Sequence, residues 1–238
     1  MTERFLGVLT LTLVFLAGVL LQWSGIFGDL WEFREDIIYL LQQHIYLVTV
    51  SGALAILVGI PLGILISRPF IRRWSETVMQ VLNIGTTIPT LALLALSMSF
   101  LGIGTQPAIF GLFVASLLPI VRNTYTGLLS VPPHLIEAAT GMGMTQAQIL
   151  RRVELPNALF VMFAGIRTAL AVNVGTAPLA FLIGGGGLGE LIFTGIDLME
   201  TGMMLAGAIP TALLAVFVDW LFSQAQLWLV PRGVNPLR

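Results

Sequence analysis

The chain has 238 residues, 57% hydrophobic and 10% charged, with a formal net charge of −1 and no cysteine. A soluble domain carries about 25% charged residues, so this chain has too little polar surface to face water on all sides and reads as an integral membrane protein. Its near-neutral charge argues against a nucleic-acid partner, and without cysteine there are no disulfides and no thiolate metal sites.

A membrane-spanning helix needs roughly 20 apolar residues. Six stretches qualify in chain order: residues 5–23, 45–67, 77–101, 108–129, 158–183 and 203–230. The sequence therefore predicts an all-α membrane protein of about six transmembrane helices. The first stretch exceeds the apolar core of a signal peptide, about 7–15 residues, and no A-x-A-like cleavage site follows it, so it reads as a retained helix. Glycine and proline punctuate the rest, at Gly102-Ile103-Gly104, Pro132-Pro133, Leu155-Pro156 and residues 184–187. The last of these reads as a turn, with a loop or a short surface helix following it up to residue 201.

The arginines set the orientation. Arg4, Arg68, Arg72, Arg73, Arg151, Arg152, Arg232 and Arg238 all fall on one side if both termini are cytoplasmic. The other side then holds Asp29, Glu32, Glu35, Asp36, Glu190, Asp197 and Glu200, with Arg34 as its one base. Residues 1–44 read as an N-terminal membrane helix plus an acidic extracytoplasmic segment, and 228–238 as a cytoplasmic tail.

Polar residues inside the spans are few. Asn83, Thr87, Thr90 and Ser97 fall on one face of a continuous helix, and Asn173 and Thr176 lie one turn apart. Asn83, Thr87, Thr90, Asn173 and Thr176 are candidates to line a polar passage, or to hydrogen-bond between helices. Three charges, Arg122, Arg167 and Asp219, sit about 12–15 Å deep at 1.5 Å per residue. A buried charge normally pairs, so Asp219 is expected to pair with Arg167 or Arg122, as a clamp between helices rather than a gate. Gly59 and Gly63 offer a close-packing face. Residues 184–189 lack the Gly-Lys-Ser/Thr ending of a phosphate loop. His44 and His134 have no H-E-x-x-H spacing, and no catalytic set or metal site emerges.

Between the fourth and fifth spans lies a polar, basic stretch, residues 137–156. A short helix is expected from about His134, carrying Glu137, Ala138 and Ala139. Gly141 and Gly143 allow a turn. Thr145 and Gln148 fit a capping box that opens a second helix, which Pro156 is expected to end. Helix, glycine turn and helix make a compact knob.

The stretch reads E-A-A-x3-G-x9-V-x-L-P through Glu137, Ala138, Ala139, Gly143, Val153, Leu155 and Pro156. It resembles the cytoplasmic loop of permease subunits of binding-protein-dependent ABC importers, with Val153 in place of the usual Ile. The likeness extends over residues 45–227. The resemblance implies a type I importer core of five helices, here preceded by one N-terminal helix. Pro61, Pro89, Pro119, Pro178 and Pro210, one in each of the last five spans, fit such a core but are also common in membrane helices. The resemblance further implies that the loop, residues 131–157, docks on a separate ATPase through Glu137, Ala138, Ala139, Gly141, Gly143, Met144, Val153, Leu155 and Pro156. ATP and Mg would be bound there and no cofactor here. A second permease chain, identical or homologous, and an extracytoplasmic solute-binding protein complete the implied inner-membrane assembly.

Several stretches are similar to the osmoprotectant subgroup, which carries glycine betaine, choline, carnitine or proline betaine: Ile88-Pro89-Thr90-Leu91-Ala92-Leu93-Leu94, Leu118-Pro119-Ile120-Val121-Arg122-Asn123-Thr124-Tyr125, residues 137–144, Ala164-Gly165-Ile166-Arg167-Thr168 and residues 184–190. The last is also similar to methionine importers, so another small solute such as an amino acid stays open. An ion-coupled secondary transporter or channel would need mid-membrane carboxylates or inverted repeats; Asp219 is the one such carboxylate, and no repeat is visible.

Overall fold

The computed structural model describes residues 25–234. The predicted first span, residues 5–23, lies outside them. The described residues are helical, and four helices are long and apolar enough to cross a membrane, or five if one bent pair counts as a single span.

α1, Ile26–Glu32, leads into α2, Arg34–Ile66. The sequence reading starts this span at residue 45; the helix in fact begins at Arg34. Glu35 and Asp36 occupy its first turn, where carboxylates favour the positive end of the helix dipole. Its 33 residues reach about 50 Å at 1.5 Å per residue, more than the roughly 30 Å of hydrocarbon in a bilayer. One end of α2 therefore stands clear of the membrane.

The expected third span is two helices, α3, Arg72–Thr87, and α4, Thr90–Leu101. They meet at 94°. The break is at Ile88 (ψ 122°) before Pro89: a residue preceding proline is pushed out of the helical region, and here the result is a corner rather than a kink. The continuous polar face expected for Asn83, Thr87, Thr90 and Ser97 is therefore absent.

α5, Thr105–Leu129, follows. After it come α6, Pro133–Gly141, and α7, Gln146–Ile149. A π-helical turn, Leu150–Glu154, joins α7 to α8, Leu155–Thr176. Pro156 does not end the helix. It sits at the second position of α8, where a missing N–H is tolerated, and the wider π turn carries the chain past it. α8 gives way to a 3-10 segment, Ala177–Ile183, which holds Pro178 and stops at Gly184 with φ of 76°. α9, Gly189–Asp197, and α10, Thr201–Leu229, complete the bundle.

α2, α5 and α8 form the centre. A Cβ on Gly59 would meet Ile120 Cγ2 at 2.8 Å, and one on Gly63 would meet the Val121 carbonyl oxygen at 2.9 Å, so α2 and α5 touch where only glycine fits. Ala55, Ile120, Ile166, Ala169 and Leu170 fill the middle of this trio. At one end α1, α2, α9 and α10 close a cap over Leu40, Leu188, Leu191 and Ala206. The short surface helix considered for residues 184–201 is thus α9, with Leu191 2% exposed inside this cap.

Candidate coupling site

The knob is built at the end opposite the cap. Pro133 starts α6, and Glu137 and Ala138 are exposed while Ala139 faces inward at 1% exposure. Gly143 has φ of 77°. Its N–H donates to the Thr140 carbonyl at 2.9 Å, and the Met144 N–H donates to the Ala139 carbonyl at 3.1 Å. This is the Schellman arrangement, which needs a left-handed residue and so favours glycine. Gly141 lies in the last helical turn instead, so Gly143 alone makes the reversal.

The second helix opens on a capping box. The Thr145 N–H donates to Gln148 Oε1 at 2.8 Å, and the Gln148 N–H to Thr145 Oγ1 at 3.4 Å. Ile149 is buried, and Leu150 and Leu155 pack on Leu128, Ala158 and Met162. Met144, Val153, Leu155 and Pro156 are half-buried, while Met142 is 71% exposed at the tip. The knob thus presents Glu137, Ala138, Gly141 and Met142 outward from a backbone closed by its own hydrogen bonds.

Glu154, the unspecified residue between Val153 and Leu155 of the motif, is one that sequence reasoning missed. It is buried, and its Oε2 accepts from Arg68 Nη1 at 2.6 Å. Arg68 also donates from Nε to the Ile64 carbonyl at 3.3 Å and from Nη2 to Ser67 Oγ at 3.0 Å. The pair joins the end of α2 to the π turn. No local pattern could signal it, because its members are 86 positions apart.

A second ion pair lies inside the bundle. Arg167 donates to both oxygens of Asp219, Nε to Oδ1 at 3.0 Å and Nη2 to Oδ2 at 2.8 Å, linking α8 to α10. Its Nη1 reaches Gln226 Oε1 at 3.3 Å, and Gln226 Nε2 donates to the Phe160 carbonyl at 3.1 Å. Gln226 was not singled out beforehand, although it lies two helical turns from Asp219 on the same face. Arg122 is exposed, and its guanidinium has no ion-pair partner among the described residues.

The candidate pathway residues fall in different settings along α3, α4 and α8. Asn173 is 1% exposed and donates from Nδ2 to Ser51 Oγ at 2.8 Å, tying α8 to α2. His44 Nε2 donates to the Val174 carbonyl at 3.1 Å in the same seam. Thr176 bonds its own helix at the Val172 carbonyl. Asn83 and Thr87 are exposed on α3, and Thr90 is half-buried across the corner. Among the described residues no three His, Asp or Glu groups converge to hold a metal.

The described residues thus form a bundle of long apolar helices with a helix–turn–helix knob at its arginine-rich end. Residues 59–230 match the family described as binding-protein-dependent transport system inner membrane component, and the chain belongs to that family. It is a permease subunit of the inner membrane. It is 54% identical over 232 residues to the osmoprotectant import permease protein OsmY of Salmonella typhimurium (strain LT2), covering 98% of each chain. It is 41% identical over 203 residues to the choline transport system permease protein OpuBB of Bacillus subtilis (strain 168), covering 85% of this chain and 93% of that one. Among solved structures, an inward-facing MetNI methionine ABC transporter matches with a TM-score of 0.73 and 28% identity over 84% of this chain and 99% of its own.

Proposed function

We propose that this chain forms half of the translocation pathway of an ATP-driven importer for a small compatible solute of the glycine betaine, choline or carnitine type. The relatives named for osmoprotectants and choline, at 54% and 41% identity, favour that solute class over the methionine of the 28% identical neighbour. In this mechanism the chain performs no chemistry. A separate ATPase binds ATP and Mg, and an extracytoplasmic binding protein selects the solute. A second permease chain, identical or homologous, supplies the other half of the pathway. Both termini and the knob face the cytoplasm, where arginine is enriched.

The observation that carries the coupling role is the knob itself. Its reversal and its second helix are fixed by backbone and capping hydrogen bonds, so Glu137, Ala138 and Met142 project from a firm base that transmits force rather than absorbing it. Asn83 and Thr87 are exposed on α3, with Thr87 Oγ1 donating to the Ile84 carbonyl of its own helix at 2.8 Å. Asn173 is a tie between helices, and Arg167 with Asp219 is a clamp.

The test is co-purification with the partner ATPase. Glu137→Lys should weaken the complex by about tenfold or more, the scale of one lost charge-assisted contact of roughly 1.5–3 kcal/mol. Gly143→Asp should weaken it by deforming the reversal. Undiminished complexes together with undiminished ATP-driven uptake would remove the coupling role.

A further inference from the structure

The knob's own fold is closed by its caps and the buried Ile149. What the Arg68–Glu154 pair does is connect two bodies. Arg68 is anchored to the last turn of α2 through the Ile64 carbonyl and Ser67 Oγ, and its cationic head suits a helix C-terminus. It therefore moves with α2. Glu154 is the last residue of the π turn, a loosened helical geometry that often marks functional positions. It therefore moves with the base of the knob.

Beside the contact lies a mostly apolar cavity of about 390 Å³, lined by Arg68, Pro69, Phe70, Gln146, Ala147 and Leu150. The knob's second helix and the turn after α2 thus face each other across an open pocket. Beside it the polar link is a short contact of 2.6 Å between side chains 16% and 12% exposed.

We propose that Arg68 and Glu154 are positioning residues that form the joint through which movement of the knob is passed to α2. This rests on the coupling role assigned to the knob above. An open pocket on one side, a π turn as pivot and a short buried ion pair as link give a rotation of the knob a stiff polar route into α2. It runs beside the softer apolar packing in which Ile60 and Ile64 of α2 share a cluster with Leu150 and Leu155. From α2 the displacement passes to α5 at the glycine contacts of Gly59 and Gly63, where the helices have no slack.

The experiment uses the full complex of permease, ATPase and binding protein in proteoliposomes. It reads ATPase retention on the permease, ATP hydrolysis, and uptake of radiolabelled glycine betaine per ATP hydrolysed. Glu154→Gln and Arg68→Gln should keep the ATPase bound and hydrolysing while uptake per ATP falls at least about fivefold, the lower end of ordinary coupling between sites. The exchanged pair, R68E with E154R, should recover most of that loss. Glu154→Asp keeps the charge and withdraws the carboxylate by one methylene, so it carries the test should the neutral variants fail to assemble; it too should lower uptake per ATP. Uptake per ATP equal to wild type in Glu154→Asp or Glu154→Gln would overturn the joint. So would loss of the bound ATPase in Glu154→Asp, or an exchanged pair no better than the singles. Failure of the knob's docking role is separate: it appears as undiminished ATPase retention in Glu137→Lys, whatever the ion-pair variants do.

Discussion

Two arginine–carboxylate pairs hold this bundle, and they sit in different surroundings. Arg68–Glu154 is enclosed by protein, with side chains 16% and 12% exposed; Arg167–Asp219 is open on one side, at 28% and 45%. One turn from Asp219 on α10 lie Ala215, Val216 and Phe222, with Val216 exposed, so its surroundings on that helix are mostly apolar. The enclosed pair joins the knob to α2, and the open pair joins two membrane helices. Under the function proposed above, the first is a link that must stay intact for force to pass and the second a clamp that keeps two helices in register.

Breaking each pair should give a different cost. Glu154→Leu strands a buried guanidinium, and about 3–5 kcal/mol of stability should be lost, read as a lower unfolding temperature in detergent. Adding Arg68→Leu should return most of it, because two apolar residues replace two charges. Arg167→Leu leaves Asp219 unpaired among mostly apolar neighbours; a charge at membrane depth costs about 2.5–3.5 kcal/mol, and its partial exposure puts the expected loss near the lower figure. The double variant with Asp219→Leu should regain part of the loss, and equal, additive losses would show that the two do not act as a pair. Smallest is Thr145→Ala, which removes one half of the capping box for about 1 kcal/mol. It should loosen the knob locally without moving the unfolding temperature as far as either pair, and faster amide exchange at residues 145–149 would report it.

The same contrast explains what could be read from the chain. The knob was legible because its determinants are local: proline at one end, Gly143 at the reversal, and Thr145 and Gln148 within one turn. The Arg167–Asp219 pair was approachable because charges are so rare in the spans that few partners exist. Arg68–Glu154 was not, since both residues look like ordinary charges on the arginine-rich side and only the fold brings them together. Two proline positions misled for a physical reason. Pro89 breaks its span into a corner, because Ile88 is driven into an extended conformation, and Pro156 is absorbed by a π turn that no pattern announces. The start of α2 was misplaced because Arg34, Glu35 and Asp36 look like a loop, although two of them favour a helix N-terminus.

The proposed coupling role requires the knob to lie on the cytoplasmic side and to be covered by the ATPase. The chain has no cysteine, so Met142→Cys, at the exposed tip, provides a single labelling site. A membrane-impermeant maleimide should modify it in inside-out vesicles and not in right-side-out ones, and bound ATPase should slow the reaction. Labelling from the outer side, or labelling that the ATPase leaves unchanged, would contradict the account.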